Sequence, residues 1–236
     1  MTDRASSLRA LAITLAMGMS MNAMAGLLGL GGTSWKEEVL LHDGTKIVAE
    51  RWVARGGRHE IGQQPPITEQ SLTFILPTTN ERIAWKIERS EDVGIADFKP
   101  ILLDIVQGTP YLVSTPVGCL SYNKWSRPNP PYVIFKYQSG AWSKIAIHDL
   151  PIEIKAPNLI ISSPDSEMDR AGKSFMTANE IQKLNSSLTQ PEYRAILRES
   201  LPQERINQMC EELVRYKCGW GAPGEFNRQY FERICK

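Results

Sequence analysis

Three histidines, four cysteines and one proline-rich aromatic stretch carry the residue types of this 236-residue chain that could do chemistry. Two histidines precede an aspartate, in His42-Asp43 and His148-Asp149, and the third is His59. A histidine beside a carboxylate is acid–base equipment. A catalytic zinc asks for more: several such ligands, commonly a histidine pair one helical turn apart. Here every histidine stands alone beside a turn or in a loop, so no metal centre is expected. His42 reads as an ornament on a turn that Asp43 makes. The chain carries no Gly-x-Ser-x-Gly elbow, Cys-x-x-Cys pair, Walker loop or dinucleotide fingerprint. No catalytic residue and no cofactor is therefore assigned. The remaining route to an enzyme, an envelope hydrolase, is a dispersed pair such as His59 or His148 with a distant aspartate.

A binding surface is the better candidate. Trp125, Arg127, Pro128, Pro130, Pro131 and Tyr132 lie within eight residues. Prolines remove ordering entropy in advance, and tryptophan, tyrosine and arginine dominate protein interfaces. Trp125, Arg127 and Tyr132 are the expected contact residues for a protein or extended-peptide partner. The competing reading buries Trp125 and Tyr132 under their own loop. The acidic run Ser162–Asp169 lacks the alternating oxygen ligands of a calcium loop and reads as a solvated connector. Asn185-Ser186-Ser187 matches a glycosylation acceptor but falls inside an expected helix.

The N-terminus says where such a protein works. Arg4 and Arg9 precede the apolar stretch Ala10–Met21, which ends in Ala23-Met24-Ala25. That order is the pattern of a secretory signal peptide cleaved after Ala25. Residues 26–34, with Gly29, Gly31 and Gly32, read as a flexible linker. The competing reading is an uncleaved inner-membrane anchor of a tethered assembly factor, because no charge occurs between Arg9 and Lys36 and about 20 apolar residues suffice to span a bilayer. Losing residues 1–25 removes Arg4, Arg9 and Asp3 from 27 basic and 26 acidic residues, which leaves a formally neutral chain. Such a chain lacks the basic footprint of a nucleic-acid binder.

The elements that must position these residues fall into two halves. Over residues 35–160 apolar residues alternate with polar ones between turn signals. Glu37–Leu41 and Thr45–Trp52 flank His42-Asp43-Gly44, a hairpin signal. Leu72, Phe74 and Leu76, then Ile83, Trp85 and Ile87, mark two half-buried antiparallel strands. Ile101–Val106 with Tyr111–Ser114, and Tyr132–Tyr137 with Trp142–Ile147, predict two more hairpins, and Gly118–Tyr122 is strand-like. Short hairpins bury too little alone, so a shared sheet or sandwich follows. Ala54–Pro66 and Asn123–Pro131 are loops.

After the acidic connector, 161–176, the period changes to that of helices over 177–236. Thr177-x-x-Glu180, Thr189-x-x-Glu192 and Ser200-x-x-Gln203 are three capping boxes in tandem. The third helix is expected to run to Gly219, and Phe226, Tyr230 and Ile234 to give a last short helix its face. That geometry constrains the cysteines, whose export context favours bridges. Cys210 and Cys218 on one helix lie about 12 Å apart, and a disulfide tolerates less than about 7 Å. The preferred pairing is Cys210–Cys235 with Cys119–Cys218. The remaining one, Cys119–Cys210 with Cys218–Cys235, requires the last helix to bend early. The fold class expected is α+β: antiparallel hairpins packed as a sheet or sandwich, then a disulfide-tied helical subdomain.

Ser34-Trp35-Lys36-Glu37-Glu38-Val39-Leu40-Leu41-His42-Asp43-Gly44, Gly57-Arg58-His59-Glu60-Ile61-Gly62 and Leu184-Asn185-Ser186-Ser187-Leu188-Thr189-Gln190-Pro191-Glu192-Tyr193 resemble segments of a group of exported Gram-negative proteins with no assigned activity. The resemblance covers most of residues 34–200. It implies a periplasmic protein and supplies no catalytic residue. The expected function is a non-catalytic periplasmic interaction protein that binds an envelope protein or an extended peptide.

Overall fold

Alternation of side chains above and below a pleated backbone sorts the first half into two antiparallel sheets. A computed structural model describes residues 31–235; the signal segment and the start of the linker lie outside them. The first sheet contains β1 (Thr33–Leu40), β2 (Lys46–Arg55), β3 (Ile67–Ile75) and β4 (Arg82–Glu88), in the order β4-β3-β2-β1. The Asp-Gly turn closes the first hairpin: Asp43 Oδ1 accepts the Thr45 amide at 2.8 Å, and Gly44 adopts φ 85°. The second sheet runs β5 (Phe98–Val106), β6 (Thr109–Pro116), β7 (Val133–Gln138) and β8 (Ala141–Ile145), in sequence order. Val39, Leu72, Phe74 and Trp85 of the first sheet meet Phe98, Leu103, Leu112 and Val133 of the second in one core. The structure is a β-sandwich with helices concentrated after it, an α+β fold.

β5 and β6 read as nearly continuous apolar runs because both faces of their sheet are covered. The outer face buries Ile101, Leu102, Val113 and Ile134 against Leu150, Ile154, Ile161 and Ile196. The chain between these covering residues contains Leu159, Ile160 and Ile161, all fully buried without being a strand. Buried backbone must find partners, and side chains supply them. The Ile160 amide donates to Glu37 Oε2 at 2.9 Å, and its carbonyl accepts from Arg51 Nη1 at 3.1 Å. Asn185 accepts the Ile161 amide and donates to the Leu159 carbonyl at 2.8 Å. Asn158 pairs with the amide and carbonyl of Leu103 at 3.0 and 2.8 Å, much as a neighbouring strand would. Asn185, the residue of the glycosylation match, is half-buried and its side-chain amide is engaged by this segment.

Four local expectations change. Gly118–Lys124 is a helix, α1, not a strand. The acidic run forms helix α2 (Pro164–Ala171), started by Pro164 at its first turn and stopped by Gly172 at φ 62°. Phe175–Met176 then adds a short parallel strand, β9, beside β1. Only the first capping box forms: Thr177 and Glu180 bond reciprocally at the start of α3 (Ala178–Asn185). Pro191 and Pro202 shift the next two starts, so α4 (Pro191–Arg194) begins after Gln190 and α5 (Gln203–Met209) after Pro202, neither with a side-chain cap.

The disulfide pairing is corrected as well. The bonds are Cys119–Cys210 and Cys218–Cys235, with Cα separations of 5.3 and 5.6 Å, and no described cysteine is free. The preferred pairing assumed one helix through Cys218, but α5 ends at Met209 and Cys210 is extended. The reason lies in Arg127. Its guanidinium captures the carbonyls of Cys210 and Glu211 at 2.9 and 2.8 Å, which diverts them from any helical ladder and brings Cys210 to α1. The chain after Cys210 makes a tiny hairpin, β10 (Val214–Arg215) with β11 (Trp220–Gly221), before α6 (Glu225–Ile234). A Cβ at Gly219 would come within 2.5 Å of the Phe231 ring, so glycine permits α6 to fold back and Cys235 to reach Cys218. Among the described residues no helix is long and apolar enough to cross a membrane.

Candidate functional site

The three histidines do not converge. His59 lies exposed in its loop, with Nδ1 3.2 Å from the Gly57 carbonyl. His148 is exposed at a 3-10 turn and meets only its neighbour Asp149, 3.6 Å away. His42 is different, and a turn ornament is too slight a description of it. Its Nδ1 lies 2.7 Å from Oδ1 of the buried Asp104 on β5, and its amide donates to Asp104 Oδ2 at 3.0 Å. The hydrogen bond to Asp104 raises the His42 pKa above the ordinary histidine value, against a smaller opposing effect of burial. This pair borders a 290 Å³ cleft that also includes Glu153, Asn158, Asn179 and Gln182. It can hold a proton and orient an imidazole. Among the described residues no group of three or more His, Cys, Asp or Glu is arranged to hold a metal ion.

The predicted contact residues Trp125, Arg127 and Tyr132 are occupied internally. Trp125 packs on Phe98 with ring centroids 4.6 Å apart, and its Nε1 donates to the buried Asp97 carboxylate at 3.2 Å. Arg127 holds the tail carbonyls already described and rests 5.5 Å from the Tyr122 ring centroid. The buried Tyr132 hydroxyl lies 3.0 and 3.1 Å from the carbonyls of Glu192 and Ala195, and it accepts the Leu197 amide at 3.3 Å. Burial, more than any neighbouring charge, pushes its phenol up to about 12. Arg127 and Tyr132 hold the chain's own tail, and Trp125 is held by Phe98 and Asp97 of the β half.

Among the described residues, α6 presents an exposed apolar stripe at helical spacing. Phe226, Tyr230 and Ile234 recur at i, i+4 and i+8 and are 79 %, 40 % and 48 % exposed. The period marks these three as the apolar face of the helix, the face that a helix ordinarily buries. Instead Phe231 packs inward, stacked on Tyr216 at 4.9 Å, and Cys235 is buried. Sequence period alone cannot tell a core face from a presented face. Comparison with protein-family models, curated proteins and solved structures finds no match. The geometry alone therefore carries the functional argument.

Proposed function

We propose that this is an exported, non-catalytic interaction protein of the bacterial envelope that docks a partner protein through α6. The observation that carries the reading is the exposed Phe226–Tyr230–Ile234 stripe. A helix with anchors at this spacing suits an apolar groove on a partner. Its disulfide to Cys218 fixes the helix beforehand, which lowers the ordering cost of binding. Two disulfides among the described residues fit an oxidising compartment, and the arrangement Arg4, Arg9, Ala10–Met21, Ala25 supplies the export route.

The test is site-specific photo-crosslinking in intact cells. A crosslinking residue at position 226 or 230 should trap one discrete adduct, and the same residue at exposed Ile61, in a loop of the β half, should not. Equal adducts from both positions, or none from α6, would remove the reading. Cell fractionation with N-terminal sequencing should recover a periplasmic chain beginning at Gly26. The His42–Asp104 pair favours a second reading, hydrolysis with His42 as base. That reading requires a turnover that His42→Ala abolishes without loss of fold.

A further inference from the structure

Five carboxylates are buried among the described residues: Glu37, Asp97, Asp104, Asp165 and Glu192. Four are answered in full view. Arg51 meets Glu37, Lys124 meets Asp97, His42 meets Asp104, and Arg55 meets Asp165. Glu192 is the exception. It is 4 % exposed, takes part in no ion pair among the described residues, and its Oε2 accepts no hydrogen bond. Its expected role, reaching back to the Thr189 amide in a capping box, is not played, because Pro191 moves the helix start.

The carboxylate borders a cavity of about 190 Å³ between the end of β6, α1 and the tail. The wall opposite in chemistry is Thr115, buried at 4 %, whose Oγ1 is likewise enclosed without a partner. Tyr122, Tyr193 and Met209 complete an aromatic and polarizable lining. Lys99 makes no ion pair with Glu192; its Nζ donates to the Tyr193 hydroxyl at 3.1 Å and lies 4.5 Å from the centroid of that ring. Arg198 spends its guanidinium on four carbonyls between Ile147 and Ile154. Arg194 is exposed, and Arg205, one turn before Met209 on α5 with its own Nε enclosed and unpartnered among the described residues, makes no ion pair with Glu192.

An uncompensated buried carboxylate is costly, and each such group in a native protein calls for an explanation. We infer that the Glu192 cavity is a binding site for one organic cation, an ammonium or guanidinium group, paired to the Glu192 carboxylate and bonded to Thr115 Oγ1, with Tyr122 and Tyr193, each of which already carries Arg127 or Lys99 on one face, as its aromatic walls. Aromatic faces attract such cations. The volume is below the roughly 300–1,000 Å³ of drug-sized sites, so the site takes a small amine or the head of a basic side chain. No lining residue belongs to α6, and the inference stands or falls separately from docking through that helix.

The test uses the full mature chain and three probes: butylammonium chloride, N-acetyl-lysine amide and N-acetyl-arginine amide, titrated by calorimetry and by thermal shift. Saturable binding of at least one probe is expected, raising Tm and weakened at least tenfold by Glu192→Gln. Thr115→Val should weaken the same probe several-fold. Without probe, Glu192→Gln should melt no lower than the wild type, because it removes an unpaired charge at constant shape. Tighter butylammonium binding identifies a free amine as the source; tighter binding of an amino-acid amide identifies a basic side chain presented by a polypeptide. No saturable binding, or binding that Glu192→Gln leaves unchanged, overturns the inference.

Discussion

Arg51 Nη1 lies 2.9 Å from Glu37 Oε1, and both side chains also bond the backbone of Ile160. Trp35 joins them, its Nε1 donating to Glu37 at 2.7 Å and its ring 5.2 Å below the guanidinium. This is a pair buried to serve a third party. Breaking an ordinary buried pair by removing one partner costs about 3–5 kcal/mol, yet replacing both with apolar residues is often neutral. Here the double replacement, Glu37→Leu with Arg51→Met, leaves the Ile160 amide and carbonyl unpaired, each at about 1–3 kcal/mol. Denaturant unfolding should therefore show both single variants destabilised by about 3–5 kcal/mol and the double variant still well below wild type. A double variant as stable as wild type would mean that Ile160 needs neither side chain.

That triangle also marks the limit of what periodicity reveals. Leu72, Phe74 and Trp85 announce their strands because a pleat repeats every two residues, and Asp43-Gly44 announces its hairpin because few residues accept the turn. Leu159–Ile161 is a buried segment that is not a strand, and nothing local says that Glu37, Arg51 and Asn185 will satisfy it. The same blindness explains the sites. Trp125 and Arg127 look like interface residues whether the partner is foreign or is another part of the same chain, Phe98 and Asp97 for the one and the tail for the other. Phe226, Tyr230 and Ile234 look like a core stripe whether or not anything covers them. Glu192 satisfies a capping pattern that Pro191 disables, so its position in the cavity is invisible before the tail is folded.

The cysteine pairing has a direct consequence for mass mapping and stability. Non-reduced peptides should link Cys119 to Cys210 and Cys218 to Cys235. The two rings differ in size, with separations of 91 and 17 residues. On the chain-entropy account the larger ring contributes about 4–5 kcal/mol and the smaller about 3 kcal/mol. Replacing Cys119 and Cys210 together by alanine should lower the unfolding free energy more than replacing Cys218 and Cys235. A Cys210–Cys235 peptide would contradict the fold of the tail.

Helix caps give a sharper contrast between look-alike sequences. Thr177 accepts the Glu180 amide while Glu180 returns to the Thr177 amide at 2.9 Å. The Glu180 pKa falls to about 2, chiefly through its hydrogen bond with Lys173 and then through Thr177. Thr177→Ala should cost about 1 kcal/mol. Thr189→Ala, in a sequence with the same spacing, should be near neutral because Thr189 is exposed and caps nothing. Equal losses at the two positions in urea melts would show that the second box forms after all.

His42 and Asp104 tie the first hairpin turn to β5, and the tie depends on pH. Asp104 raises the His42 pKa in the folded state above the ordinary value of 6.5. The folded chain therefore binds the proton more tightly than the unfolded chain, and the stabilisation is complete below about pH 6.5. It fades as pH rises through the raised value, once the imidazole is neutral in both states. Wild type should lose melting temperature as pH rises above about 6.5 relative to His42→Gln, which lacks the titrating group. Asp104→Asn should abolish the same slope and also lower stability at every pH, because the Asp104 carboxylate accepts the amides of His42 and Ile105 at 3.0 and 2.7 Å. Parallel melting curves for wild type and His42→Gln across that window would mean that the imidazole carries no extra proton in the folded state. A larger loss for His42→Gln toward high pH than toward low pH would reverse the sign of the coupling.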